Sequence, residues 1–172
     1  APRTGWLARL RAGLSRTSTA LKDSIGGIFT RKKLDAASLE ELEEALIMAS
    51  IVEKETGRDV DRAQIAGVFV NRLRQGMLLQ TDPTVIYGLG EKFDGNLRKR
   101  DLQTDTPWNT YTRAGLPPTP IAMPGKASLM AAVQPQATRA LYFVARGDGS
   151  SQFSASLEEH NRAVQRYQLQ KK

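Results

Sequence analysis

Cysteine is absent from the 172 residues, histidine occurs once, at His160, and aromatic residues make up only 6%. Without cysteine there can be no disulfide framework, cysteine-liganded zinc, iron–sulfur cluster or thiol nucleophile. A single histidine likewise rules out multi-histidine metal sites and a repeated histidine relay. No stretch approaches the roughly 18–20 apolar residues of a membrane span. The compact apolar run and small-residue cleavage site of a signal peptide are missing too. Nor does any G-x-x-x-x-G-K-[ST] loop occur, because Gly125-Lys126-Ala127-Ser128 lacks the upstream glycine, so nucleotide hydrolysis has no support. With 40% apolar residues the chain has enough hydrophobic material for one ordinary domain with a real core, too much for wholesale disorder.

The charge is unevenly placed. The chain carries a formal +7, and residues 1–33 hold eight Lys and Arg against one acid, Asp23, so the whole excess lies there and residues 34–172 are balanced. Within that basic part Trp6, Leu7, Leu10, Leu14 and Leu21 fall within about 100° of one another at helical period, flanked by Arg9, Arg11 and Arg16. Basic residues beside a narrow Trp/Leu face suit a helix lying on an anionic membrane surface through Trp6, Arg9, Arg11, Leu14 and Arg16. A helix packed on a protein core with a solvated basic face fits the same pattern. Nucleic acid is disfavoured, since the basic residues are not interleaved with stacking aromatics.

Ser38 followed by Glu41 forms a capping box, and the pattern after it reads as helix to about Thr56, with Gly57 as the stop. Leu39, Leu42, Leu46, Ala49 and Glu53 project within about 40° of one direction, which sets a carboxylate on the stripe expected to face the core. Glu55 lies about 160° away, near Glu40 and Glu44, and is expected to be solvated. Met48 and Ile51 are apolar on that opposite side, so the last turns could be buried all round. A buried Glu53 without a permanent cation would favour its protonated form, the state a general acid needs. A Glu53 paired with Arg72 or Arg113 is the structural alternative.

Asp61 with Gln64 can cap a second helix, with Ile65, Val68, Phe69 and Leu73 on its apolar face and Gly76 as its end. Residues 77–125 read as long Pro/Gly loops carrying Asn, Thr, Gln, Tyr and Trp, a composition suited to a carbohydrate cleft. A helix over Ala127–Val133, a hairpin around Gly147-Asp148-Gly149 and a last helix from about Leu157 complete the expectation. His160 reads as a packing or hydrogen-bonding group. The fold class expected is therefore α+β, mainly helical, with a small β-hairpin in the C-terminal half and a helical N-terminal segment.

Two resemblances follow from these residues. Gly5-Trp6-Leu7-Ala8-Arg9-Leu10-Arg11-Ala12-Gly13-Leu14-Ser15-Arg16-Thr17, Gly27-Ile28-Phe29 and Leu39-Glu40-Glu41-Leu42-Glu43-Glu44-Ala45-Leu46 resemble the start of the bacterial signal recognition particle receptor. That family's segment opens a helical domain and contributes to binding anionic lipid. Ala49-Ser50-Ile51-Val52-Glu53-Lys54-Glu55-Thr56-Gly57, Gly67-Val68-Phe69-Val70-Asn71-Arg72-Leu73, Leu79-Gln80-Thr81-Asp82-Pro83-Thr84-Val85-Ile86-Tyr87-Gly88, Asn109-Thr110-Tyr111, Gly115-Leu116-Pro117-Pro118 and Glu159-His160-Asn161 resemble the endolytic murein transglycosylase (YceG-like) family. The implied organisation is a transglycosylase-like domain over 49–172, preceded by a receptor-like segment over 1–48 that stands where that family has a transmembrane anchor and a LysM-like subdomain.

The second resemblance implies non-hydrolytic cleavage of peptidoglycan between N-acetylmuramic acid and N-acetylglucosamine, with Glu53 as the single catalytic acid and no metal or organic cofactor. By motif position it makes Gln80, Asp82, Trp108, Asn109, Thr110 and Tyr111 the sugar-holding candidates. It also implies a periplasmic catalytic domain associated with the inner membrane. Two departures stand out: Ser151-Gln152-Phe153 replaces the family's His before the Phe, and Trp108 replaces its usual Tyr. The competing reading is a catalytically inactive fusion that binds a membrane surface and no nucleotide.

Overall fold

In a computed structural model the described residues are 36–169, so the sequence-marked membrane residues Trp6, Arg9, Arg11, Leu14 and Arg16 lie outside them. The chain divides into two units, Ala1–Ala45 and Leu46–Lys172. The architecture is α+β and mainly helical. Helix α1 spans Ala36–Glu55, α2 Asp59–Arg74, α3 Asp82–Leu89, α4 Lys99–Gln103 and α5 Lys126–Val133. Strands β1 (Tyr142–Ala145) and β2 (Ser151–Ser154) then pair, followed by α6 (Leu157–Val164) and a π-helical turn over Gln165–Leu169. Among the described residues no helix is long and apolar enough to cross a membrane.

Residues 47–52 of α1 are buried on every side, and they form the centre of the larger unit. Met48, Ala49, Ser50, Ile51 and Val52 are all fully buried. Ile65, Val68 and Phe69 of α2 are equally enclosed, and α2 packs chiefly on α5. Phe69 meets Phe143 of β1 edge-on at 5.9 Å, which carries the core across to the hairpin. In the hairpin Phe143 faces Phe153 and Val144 faces Gln152, antiparallel, as the Gly-Asp-Gly turn predicts. Gly147 and Gly149 take the positive φ values of 89° and 85° that this turn requires.

Two expectations about element ends need correction. Helix α2 starts at Asp59, and Asp61 accepts a bond from the Ser151 amide at 3.1 Å instead of capping the helix. Residues 77–125 are less loop-like than their composition suggests, since they contain α3 and α4. Pro83 sits in the first turn of α3, where its fixed φ and missing N–H favour a helix start, so a proline that reads as a loop marker begins a helix. Helix α2 ends as expected, with Gly76 at φ +69°.

Backbone closeness between α2 and the segment after α5 depends on a residue with no side chain. The Gln136 amide donates to the Ala63 carbonyl at 2.8 Å, and a Cβ on Gly67 would lie 2.3 Å from the Gln136 carbonyl oxygen. We expect Gly67→Ala to destabilise the fold by about 1–3 kcal/mol, because overpacking outweighs the helix-propensity gain of alanine. Urea unfolding checks this, and a neutral or stabilising result would show that the 134–138 segment can move aside.

Candidate active site

Two glutamates leave the end of α1 in different directions and meet opposite electrostatic surroundings. Glu53 reaches the N-terminus of α5. Its Oε2 accepts the Gly125 amide at 3.0 Å and the Ser128 hydroxyl at 2.5 Å, and its Oε1 lies 3.8 Å from Arg62. Arg62 in turn donates Nε to Ser128 at 3.0 Å and pairs with Asp59. The Ser128 bond, then the Gly125 amide, hold the Glu53 carboxyl below its usual range, although its side chain is 29% exposed. The positive end of α5 favours the same anion. Glu53 thus joins α1, α2 and α5 as an ionised cap. Its cation is Arg62; of the two arginines expected as partners, Arg113 pairs instead with Asp105 at 2.8 Å.

Glu55 has the opposite setting. The helical-wheel expectation of a solvated side chain fails because residues 47–52 just before it are enclosed on all sides and Glu55 itself meets Thr81. Glu55 is partly buried and accepts a hydrogen bond from the Thr81 hydroxyl. Burial pushes its carboxyl up to about 7, the Asp82 charge acts in the same direction, and Thr81 and Arg72 oppose them. A carboxyl poised there is protonated in a large fraction of molecules near neutral pH and can still give the proton away.

The loop that faces Glu55 is held from beneath by buried polar groups. Asn109 is fully buried, and its amide donates to the carbonyls of Leu102 at 3.1 Å and Thr104 at 2.7 Å while its Oδ1 accepts the Tyr111 amide at 2.8 Å. Thr110 is 2% exposed and its hydroxyl accepts the Thr81 amide at 3.0 Å and lies 2.8 Å from the Thr84 hydroxyl. The Gln80 amide donates to the Thr110 carbonyl at 3.1 Å. Asn109 and Thr110, expected to hold sugar, have their polar atoms committed to positioning Thr81 and Tyr111.

The remaining sequence-marked residues stand nearer the surface. Asp82 is exposed and accepts the Tyr111 hydroxyl at 2.5 Å. Burial first, then Asp82, raise the Tyr111 phenol well above its usual value, so Tyr111 acts as a donor. Gln80 is exposed at φ +50°, a left-handed conformation uncommon outside glycine and a local strain that the surrounding bonds must offset. Trp108 donates its indole N–H to Thr119 at 3.0 Å and meets Tyr87 edge-on at 5.5 Å; Tyr87 is 44% exposed.

Arg72 lies under this group. It donates Nε to the Leu141 carbonyl at 2.6 Å and Nη1 to the Leu79 carbonyl at 3.0 Å, and its guanidinium lies over Tyr142, 5.0 Å from the ring centroid. Tyr142 stacks on His160 at 5.2 Å, which gives that histidine the packing role expected of it. The structure therefore brings Thr81 onto Glu55, with Asp82, Tyr111 and Arg72 near it, and leaves Glu53 with a separate set of partners. Sequence reasoning did not single out Glu55 or Thr81, and gave Arg72 only as a partner for Glu53. The usable signal was the apolar Met48, Ile51 and Val52 on the side of α1 assigned to solvent.

Comparison with known proteins places this geometry. The sequence model described as the YceG-like family matches residues 8–166. A protein of Bacillus subtilis named endolytic murein transglycosylase is 48% identical over 122 residues, 71% of this chain and 34% of that protein. The crystal structure of a putative yceG-like protein from Listeria monocytogenes superposes with a TM-score of 0.65 at 48% identity, covering 71% of this chain and 39% of that one. The signal recognition particle receptor FtsY of Agrobacterium fabrum is 50% identical over 46 residues, 27% of this chain and 10% of that protein. The chain thus spans about a third of the length of the Bacillus relative.

The two glutamates predict stability changes of opposite sign. Glu55 has its carboxyl raised on folding, so the folded state holds the extra proton between about 4.5 and about 7 and loses stability as pH rises through that window. Glu55→Gln is expected to be more stable than the parent at pH 8, by about 1–3 kcal/mol, with the gap closing below about pH 4.5. Glu53 is lowered, so its contribution is present above its unfolded value of about 4.5 and fades as pH falls. Glu53→Gln should therefore be less stable than the parent at pH 8. Urea midpoints of the three proteins at both pH values give the comparison, and equal signs would refute these assignments.

Proposed function

This chain belongs to the YceG-like family, and we propose that it is a peptidoglycan lytic transglycosylase in which Glu55, not the neighbouring Glu53, carries the proton. The single observation that supports the choice is the difference in surroundings. Glu55 has burial and a nearby Asp82 favouring its acid form, whereas Glu53 has a hydroxyl, an amide and Arg62 favouring its anion. Only the first can act as a general acid near neutral pH.

In this reading Glu55 donates its proton to the glycosidic oxygen between N-acetylmuramic acid and N-acetylglucosamine. The bond from that oxygen to the anomeric carbon breaks, and positive charge builds on the muramic ring. The sugar's own 6-hydroxyl oxygen then bonds to the anomeric carbon and gives its proton to the Glu55 carboxylate, which is restored to its starting state. One carboxylate serves because the nucleophile is already part of the substrate, unlike hydrolysis, where a second usually activates water or attacks carbon. Gln80, Asp82, Trp108 and Tyr111, with Tyr87 added, carry the sugar contacts, and Asn109 and Thr110 keep their loop in place.

The basic excess in residues 1–33 supports docking of this part on an anionic membrane surface, through Trp6, Arg9, Arg11, Leu14 and Arg16. That would hold the catalytic part near the inner membrane, with the periplasmic wall as its substrate. An inactive binding module is not favoured, because the relatives matched over the larger part of the chain are named transglycosylases.

Digestion of purified sacculi followed by separation of the products tests the proposal. The parent should yield 1,6-anhydro ends, and its rate should fall as pH rises through about 7. Glu55→Gln should lose about 10²–10⁴-fold in rate, while Glu53→Gln should keep the chemistry. The reverse outcome would return the acid to Glu53.

A further inference from the structure

We propose that Asp82 is a positioning residue for this reaction: its carboxylate, fixed by the Tyr111 hydroxyl at the start of α3, keeps Glu55 loaded with a proton. The inference rests on the Glu55 reading and deepens it.

The geometry comes from one continuous arrangement. Thr81 and Asp82 are consecutive, so the residue that bonds Glu55 through its hydroxyl also fixes where the next carboxylate begins. Asp82 opens α3, and its Oδ1 takes the Tyr111 hydroxyl at 2.5 Å, which removes the freedom an exposed aspartate would otherwise have. Tyr111 is held in turn by the Asn109 side chain through its amide at 2.8 Å. The short bond to Tyr111 holds the Asp82 charge at one place near Glu55, while water on its exposed side weakens its field.

The charged and titratable groups facing Glu55 come from three places. Asp82 of α3 opposes its ionisation, Arg72 of α2 favours it, and the Tyr111 phenol from the loop after α4 stays protonated. Arg72 has its charge shared among the carbonyls of Leu141, Leu78 and Leu79 and the Gln80 side chain, so it is poorly placed to neutralise Glu55 alone. Removing Asp82 would take away the charge that opposes Arg72 at Glu55, and Glu55 would give up its proton at lower pH.

The test is a carbon-13 titration of the glutamate side-chain carboxyls in the full chain without substrate. Asp82→Asn should lower the Glu55 midpoint, with proton affinity falling about three- to tenfold. Tyr111→Phe, which keeps the ring and frees Asp82, should lower it less. The alkaline limb of the rate profile on sacculi should move in the same direction in both variants. An unchanged or raised Glu55 midpoint in both would overturn the role of Asp82. Failure of the Glu55 reading would look different, because Glu55→Gln would then remain active whatever the titrations of the Asp82 and Tyr111 variants show.

Discussion

Residues 47–52 of α1 are enclosed on every side, and the polar side chains at the end of the helix, the exposed Lys54 apart, find their partners in whatever element packs against them. Ser50 is satisfied by the Ile47 carbonyl and by the Ile121 amide at 3.0 Å. Glu53 finds the start of α5, and Glu55 finds the start of α3. Since successive helix starts differ in what they offer, two chemically identical residues separated by one lysine acquire different protonation states.

Around this helix end the structure uses buried polar residues as fixings. Thr110, Thr84 and Thr81 form one hydrogen-bonded set, Asn109 beside it bonds the Leu102 and Thr104 carbonyls and the Tyr111 amide, and all four are buried. Such sets cost stability when half-satisfied and confer rigidity when complete. Here the set carries an exposed strained residue, Gln80, and the donor Tyr111. Arg72 completes the support by bonding carbonyls on both the 78–79 turn and the strand-leading Leu141. In the proposed reaction these largely buried residues would hold the proton donor in place, which is where catalytic rate is gained.

Much of the fold was legible locally. Gly76 and the Gly147-Asp148-Gly149 turn each state their element in a few residues, and the last helix does begin at Leu157. What could not be read depended on distant partners. Thr81 lies 26 residues from Glu55, and the wheel of α1 cannot say which of two opposite faces lies against it. Likewise, Asn109 stands in a motif that suggests sugar contact, yet its amide is used by three carbonyls between Asp101 and Thr104 because α4 ends beside it. Motif position named one neighbourhood, and burial separates its exposed members, Gln80 and Asp82, from Asn109 and Thr110, which are enclosed.

The central claim is the protonation state of Glu55 in the unmodified protein. It is tested most directly by titrating the side-chain carboxyl carbons of the native chain, with Glu55→Gln used to assign the signal. One glutamate should titrate near pH 7 and vanish in that variant. If every glutamate titrates below about 5, as an ordinary exposed carboxyl does, Glu55 is ionised at neutral pH and cannot be the acid.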